Sequence, residues 1–474
     1  MSSVRSNFVW NTAYQVVRIL TPLITMPYLA RVLGSESLGI YSYTYTIANY
    51  FTYFCLLGLG QYGNREIAKA REDRGRLSRT FWSIFAMQLS VGVLVVAAYL
   101  FYVFFASGEY FVYSLIWGVW VLAEVVDVSW FFYGMEEFRA MTIRNLLVRV
   151  CVIVGIFVLV RDANDLWVYC ALQAVAFGIN SWVLWAMMPG RVEFVMPTTR
   201  EVLMHVRPNL TLFAPVIAIS VYTQFNEIVL GNLGGMCEVA YYDNAYKIVV
   251  IPLTIISSLG TVMLPRMSSV IAKGERGAVS YYLNISFWLS EAMAFGLMFG
   301  IVGVAPEFVP VFFGGGFDPC RILMPLLAVI IPVCAWSSVL GNQYLIPHEK
   351  DGQYLGSVLV GSAVDLGFCA ILVPSSGAYG AAVATVFAEL FVSLAQSLML
   401  RREVLLGRHL LDAIPFVAVG VIEYAVVRFI GGAMGATVTG VACQVIAGAT
   451  SFFILSFAWL KFTRDQRLGI LLRR

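Results

Sequence analysis

Arg18, Arg149 and Lys247 lie inside stretches of this chain that are otherwise almost wholly apolar. A charge at the centre of a membrane helix costs at least ~2.5–3.5 kcal/mol, so such residues usually face a cavity or pair with one another. Arg18 has no acid at a helical neighbour position. Its planar fork suits bidentate bonding to phosphate oxygens; the alternative is a structural pair with an acid on another helix. Lys247 follows Asp243 by four residues, the favourable helical order for an ion pair. Mutual neutralisation and a ligand role both fit that spacing. Arg149 either snorkels to the inner interface or reaches a ligand.

The acids in these stretches are the candidates for proton or sodium coupling: Glu124, Asp127, Asp243, Glu291, Asp365 and Glu389, with Glu423 also at mid-stretch. Glu124 and Asp127 are three apart and are expected to share one helix face, where two carboxylates can retain a proton. Asp127, near the inner end, has capping or solvation as its alternative, and Glu227, near the outer end, is expected to be solvated. The segment Tyr41 to Tyr53 is rich in hydroxyls and rings. Tyr43, Thr46, Tyr50 and Tyr53 recur at helical spacing, a face that could line a wet cavity and stack on sugars, with Tyr43 and Tyr50 as binding candidates. Interhelical hydrogen bonding with an interfacial aromatic belt is the plainer alternative.

The elements that must position these groups are fourteen apolar stretches, each about 20 residues long. They cover 8–30, 38–60, 80–106, 110–133, 145–160, 166–188, 209–230, 240–263, 281–303, 322–346, 354–374, 378–400, 411–430 and 435–460. Each can cross a ~30 Å hydrocarbon core as a helix. With 60% apolar and 12% charged residues, the chain is an all-α integral membrane protein of fourteen transmembrane helices. Residues 8–30 are too long for a signal-peptide core and contain Arg18 and two prolines.

Lysine and arginine set the orientation. With the N-terminus cytoplasmic, 24 of the 31 basic residues fall in inner segments, 4 in outer ones and 3 within spans. Both termini are therefore expected in the cytoplasm. The basic runs serve topology, and no nucleic-acid partner is expected. No loop exceeds about 20 residues, too few for a folded catalytic domain. There is no C-x-x-C, no Cys/His cluster, no phosphate-binding loop and no Ser/His/Asp set, so neither a metal nor an enzyme is expected. Cys237 and Cys320 both fall in expected outer loops; two free thiols are the preferred reading over a disulfide.

A weak internal repeat is present. Val32-Leu33-Gly34 precedes the Tyr41–Tyr45 run, and Val229-Leu230-Gly231 precedes Tyr241-Tyr242 and Tyr246. Asn64-Arg65-Glu66 and Leu264-Pro265-Arg266 follow at near the same separation. An even number of spans lies between the copies, which implies two pseudo-symmetric six-helix lobes related by an axis along the membrane normal. The expected organisation is an N-terminal lobe at 1–190, a cytoplasmic linker at 191–208, a C-terminal lobe at 209–402, and two extra helices with a basic tail at 403–474. A substrate path between the lobes, with prolines at 22, 27 and 215 as flexing points or static kinks, completes that expectation.

Several stretches carry a family resemblance: Pro22 to Gly34, Gly39 to Tyr43, Tyr62 to Ala68, Asp127 to Gly134, Leu264-Pro265-Arg266, Gly341 to Pro347, and Gly380 to Thr385. In this order, across roughly residues 7–400, the chain resembles the polysaccharide transporters, the Wzx-type oligosaccharide flippases. These are grouped with lipid II flippases and multidrug and toxin extrusion antiporters in one exporter superfamily. Asp365 departs from the pattern, which has a neutral polar residue there. The resemblance implies a flippase of polyprenyl-pyrophosphate-linked oligosaccharide in the bacterial cytoplasmic membrane, feeding O-antigen, capsule or exopolysaccharide assembly. It implies alternating access, no bound cofactor, coupling to a proton or sodium gradient in many relatives, and membrane lipids, a glycan polymerase or glycosyltransferases as neighbours. A cation-coupled exporter of small organic molecules is the alternative, and Arg18 and Lys247 weigh against it.

Overall fold

The structure, a computed structural model, describes the backbone of residues 4–463. Side chains are described at Val17 and from residue 20 onward, except at Tyr222, Thr261 and Arg276. Among the described residues the chain is helical with no β-strand, and ten helices are long and apolar enough to cross a membrane. The chain divides into two compact units, Met1–Ser220 and Val221–Arg474.

The first unit holds α1 (Val4–Leu56), α2 (Leu59–Ala70), α3 (Arg74–Phe105), α4 (Phe111–Val125), α5 (Ser129–Gly134), α6 (Phe138–Leu159), α7 (Leu166–Ala186), α8 (Thr199–Leu203) and the first part of α9 (Val206–Leu233). The expected linker thus contains α8, closed by a capping box of Thr198 and Glu201. α1 is broken at Gly34, whose φ of 75° and ψ of 176° lie outside the helical region and in one that glycine tolerates. The break falls in the gap between the first two expected spans.

The expected span at 110–133 is not one helix. α4 ends at Val125 and α5 begins at Ser129. Such a break frees backbone carbonyls that an apolar medium cannot satisfy. Gln88 on α3 meets them: its Nε2 donates to the carbonyls of Glu124, Val125 and Asp127 at 3.3, 3.1 and 2.8 Å. Its Oε1 accepts from Trp130 Nε1 at 2.9 Å. Below the break, Phe81, Trp130, Phe131 and Leu184 form a buried core joining α3, α5 and α7.

The second unit holds the rest of α9, then α10 (Met236–Ala272), α11 (Arg276–Phe312), α12 (Cys320–Ala328), α13 (Ile330–Leu340), a π-helical turn at Gly341–Leu345, α14 (Asp351–Leu400), α15 (Leu406–Met434) and α16 (Val438–Phe462). α14 is a helical hairpin. It turns at Gly377 (φ 50°, ψ −129°), and Phe368 stacks on Phe387 at 4.7 Å between its legs. Glu238 on α10 accepts from Ala378 N at 2.7 Å, placing a carboxylate at the start of the second leg. In the internal repeat, the break matching Gly34 falls at Gly235 (φ 103°), about one turn past Gly231. α15 and α16 pack on α11 and on each other, through contacts that include Trp288 with Phe416 at 5.9 Å. Cys237 and Cys320 are not joined in a disulfide, and the Cys320 thiol donates to the carbonyl of Tyr241 at 3.5 Å.

Outside the spans, Lys350 Nζ donates to both carboxylate oxygens of Glu403 at 2.6 Å, and Tyr344 OH donates to Oε2 at 2.8 Å. These bonds, the lysine's foremost, hold the Glu403 carboxyl below the ordinary carboxylate range. A group with a depressed folded pKa stabilises above its unfolded value and loses that contribution as pH falls through the folded one. Lys350→Met is therefore expected to cost up to about 1 kcal/mol near neutrality, the scale of a partly exposed pair. The melting difference from the parent should shrink as pH is lowered from about 6 to about 3, which thermal unfolding in detergent measures.

Candidate functional site

Arg149 sits deeper than expected. α6 begins at Phe138 rather than at 145, so Arg149 is the twelfth of its 22 residues. Arg139 and Arg144 read as loop charges in the sequence, but Arg144 belongs to the helix. Its Nη1 donates to the carbonyl of Asn180 on α7 at 2.7 Å, and Asn145 Oδ1 accepts from Nη2 at 2.8 Å. Arg149 has no such arrangement: its Nη1 is buried without a hydrogen-bond partner. A buried unsatisfied polar group costs about 1–3 kcal/mol, and more when charged. An anionic ligand would supply what this guanidinium lacks.

Lys247 is paired, its Nζ 2.6 Å from Asp243 Oδ2. The Asp243 side chain is 5% exposed and the Lys247 side chain 44%, so the ammonium is the accessible end of the pair. Arg18 lies on α1, and its side chain is outside the described residues.

The tyrosine run divides. Tyr41 stacks on Tyr169 of α7 at 4.3 Å, Tyr45 stacks on Trp120 of α4 at 5.2 Å, and Trp117 Nε1 donates to Thr44 Oγ1 at 3.1 Å. That face is packed. On the candidate face, Tyr43 is buried with its ring 5.6 Å from Tyr110, and Tyr50 OH donates to the carbonyl of Ser220 at 2.8 Å.

Glu124 and Asp127 do not share a helix face, because α4 stops between them. Glu124 Oε2 accepts from Trp120 Nε1 at 3.1 Å on its own helix. Asp127 accepts from the backbone N of Ser129 at 2.9 Å and from Ser181 Oγ at 3.2 Å, anchoring the start of α5 to α7. Its position is the capping alternative raised by the sequence.

In the second unit Asp365 is fully buried. Its Oδ1 accepts from Asn226 Nδ2 at 3.3 Å, while Oδ2 has no partner. Asn226 also donates to Tyr242 OH at 3.1 Å and Thr385 Oγ1 at 2.9 Å, and accepts from the Cys369 thiol at 3.0 Å. Residues from α9, α10 and both legs of α14 thus surround one carboxyl group. Glu389, on the second leg of α14, lines a cavity of about 290 Å³. Glu291 on α11 is buried with Oε1 unpartnered. Glu423 on α15 is buried with Oε2 unpartnered, beside an apolar cavity of about 570 Å³ walled largely by α11, α15 and α16. Glu227 is buried rather than solvated. The fold joins Lys247 to Asp243 and sets Asp365 and Glu389 on facing legs of α14. It spreads the remaining candidates over separate helices.

Two polar clusters were missed in the sequence. The two ring nitrogens of His205 each contact a hydroxyl, Nδ1 that of Tyr62 at 2.6 Å and Nε2 that of Ser83 at 2.8 Å, one nitrogen accepting and the other donating. Arg428 Nη1 lies 2.5 Å from Glu307 Oε2, which also accepts from Gln444 Nε2 at 3.1 Å. A polar residue in mid-helix was the available signal for Ser83 and Gln444, but not their partners.

The fold is that of multi-pass membrane transporters. It is similar to the structure described as lipid II flippase MurJ in an inward closed conformation, with a TM-score of 0.73 and 13% identity over 97% of this chain and 99% of that one. It is also similar to an inward-facing multidrug resistance MATE family transporter of the MOP superfamily, with a TM-score of 0.64 and 16% identity over 81% of this chain and 94% of that one. The chain belongs to the family described as polysaccharide biosynthesis protein, whose sequence profile matches residues 4–271. Among its relatives is a protein of Escherichia coli (strain K12) named "Putative O-antigen transporter", 22% identical over 85% of this chain and 98% of the relative. A Shigella dysenteriae protein of the same name is 20% identical over 79% of this chain and 94% of that one.

Proposed function

We infer that this protein is a flippase, not an enzyme. It turns polyprenyl-pyrophosphate-linked oligosaccharide from the inner to the outer face of the bacterial cytoplasmic membrane by alternating access, for surface polysaccharide assembly. The relationship along 98% of the E. coli O-antigen transporter homologue carries this reading. The buried, unpartnered Nη1 of Arg149 supports an anionic cargo, and Arg18 and Lys247 are the other cations proposed to meet the pyrophosphate. Tyr43 and Tyr50 are proposed to line the glycan's route. Asp365, with its unpartnered oxygen, is the foremost of the proposed ion-coupling acids, ahead of Glu124, Asp127, Asp243, Glu291 and Glu389. Both termini are proposed to be cytoplasmic, following the bias of basic residues. The glycan's maker and its polymerase are the proposed neighbours.

The test is reconstitution. In proteoliposomes carrying a lectin-reactive, short-chain polyprenyl-pyrophosphate oligosaccharide on the inner leaflet, the lectin-accessible fraction should rise with time only when the protein is present. Arg18→Ala should abolish that rise. Arg18→Lys should restore part of it, because charge returns without the bidentate fork, and Arg18→Gln should not. Transport of an organic cation in place of the glycolipid would favour the exporter reading instead.

A further inference from the structure

The second unit contains a cavity of about 290 Å³ in which Glu389 is the single charged side chain. Its wall is made by α10, α13, the π-helical turn and both legs of α14. The lining mixes apolar side chains with hydrogen-bonding ones, among the latter Thr254, Ser337, Asn342, Glu389 and Gln396.

These groups present acceptors. Thr254 Oγ1 donates to the carbonyl of Val250 at 3.1 Å and Ser337 Oγ to that of Cys334 at 3.2 Å, so their hydrogens are committed to the backbone. Asn342 Nδ2 donates to Ser338 Oγ at 3.2 Å, and Gln396 Nε2 donates to Ser357 Oγ at 3.1 Å. What each of these amides leaves for a guest is its carbonyl oxygen and a second N–H. Gln396 is 1% exposed, and its Oε1 has no partner. An orphaned acceptor buried this deeply is costly to the resting fold, and a donor that reaches it removes part of that cost. Glu389, 8% exposed, adds a further acceptor.

The shape narrows the guest. The volume equals roughly ten water molecules at ~30 Å³ each, far more than a bare cation fills. It lies at the small end of the ~300–1,000 Å³ range of ligand pockets. Tyr354 supplies an aromatic wall. The π-helical turn, closed by Ile346 N to the Gly341 carbonyl at 3.0 Å, is what brings Asn342 to the lining. Turns of this kind recur at functional sites. Many donors on a compact body with an apolar face describe a hydroxyl-rich sugar ring.

We propose that this cavity is a pocket for one sugar residue of the transported glycan, held by its hydroxyl donors on Gln396, Asn342 and Glu389 and by its apolar face on Tyr354. The proposal rests on the flippase reading above for the identity of its guest. It makes this pocket a determinant of which glycan is accepted, separate from the cations that meet the pyrophosphate.

Saturation-transfer NMR on the full chain in detergent, with glucose, galactose, N-acetylglucosamine and rhamnose as probes, tests it. At least one sugar should receive saturation, and Gln396→Leu and Asn342→Ala should each reduce the signal at least tenfold while remaining monodisperse and helical. No transfer to any probe, or transfer unchanged in both variants, overturns the pocket. A sodium-dependent rise in melting temperature that is lost in Glu389→Gln, without a sugar signal, overturns it in favour of an ion. The proteoliposome assay separates the two readings. If the parent flips glycolipid and both variants flip at the parental rate with the sugar signal absent, the pocket fails and the flippase stands. If the parent does not flip but sugar binding depends on Gln396, the flippase reading fails and the pocket stands.

Discussion

Replacing Arg149 by methionine is expected to stop glycolipid transport without lowering the melting temperature. A half-buried cation at the twelfth position of a 22-residue apolar helix, with its buried Nη1 lacking any partner, is a cost to the resting fold. Exchanging buried charge for an apolar side chain of similar volume is neutral or stabilising by about 1–4 kcal/mol in other proteins. A group kept at such a cost is kept for binding, and the trade between stability and activity should be visible here. The expected pattern is loss of flipping by a hundredfold or more in proteoliposomes, with a melting temperature equal to or above the parent's. Arg149→Lys should retain part of the activity, since charge remains while the fork is lost. A variant that melts several degrees lower and still flips its cargo would mean that Arg149 is a structural cation.

Arg428→Met should do the opposite, damaging stability first. Arg428 lies 2.5 Å from Glu307 and donates also to the carbonyl of Gly303 at 3.3 Å, fastening α15 to α11. The Glu307 side chain is 11% exposed. Removing its guanidinium partner leaves a buried carboxylate supported by Gln444 alone, for which about 3–5 kcal/mol is the expected loss. Neutralising both partners, in the double variant Arg428→Met with Glu307→Gln, should recover most of that loss, because the uncompensated charge is gone. Thermal unfolding of the parent, both single variants and the double variant measures the non-additivity. A double variant no more stable than Arg428→Met alone would place the loss in packing rather than in charge.

The resemblance drawn from the motifs and the family shown by comparison agree, as does the all-helical transporter fold. The breaks at Gly34 and Gly377 were legible because each gap between apolar stretches there holds glycine among small or polar residues. The break after Val125 was not, because the stretch from Val121 through Phe132 holds no glycine or proline to mark it and the residue that permits the break is Gln88, on another helix. The depth of Arg149 was hidden by Arg139 and Arg144, which resemble loop charges until Asn180 of α7 is seen to accept from Arg144.

By itself the sequence determined that the chain lives in a membrane, the central part of most of its helices, and which family it belongs to. Hydropathy, glycine and local motifs are properties of neighbouring residues, and they act before any helix meets another. Only the tertiary structure decided which charges are satisfied. Arg428 and Glu307 are 121 residues apart, Asn226 and Asp365 139 apart, and Tyr62 and His205 143 apart. A bilayer offers no water to stand in for a missing partner, so each polar group must find one on a neighbouring helix or await a ligand. Which of the two has happened depends on helix packing that no local pattern encodes, and it is what separates Asp127, tied to Ser129 and Ser181, from Arg149 Nη1 and Gln396 Oε1, two atoms that still lack a partner.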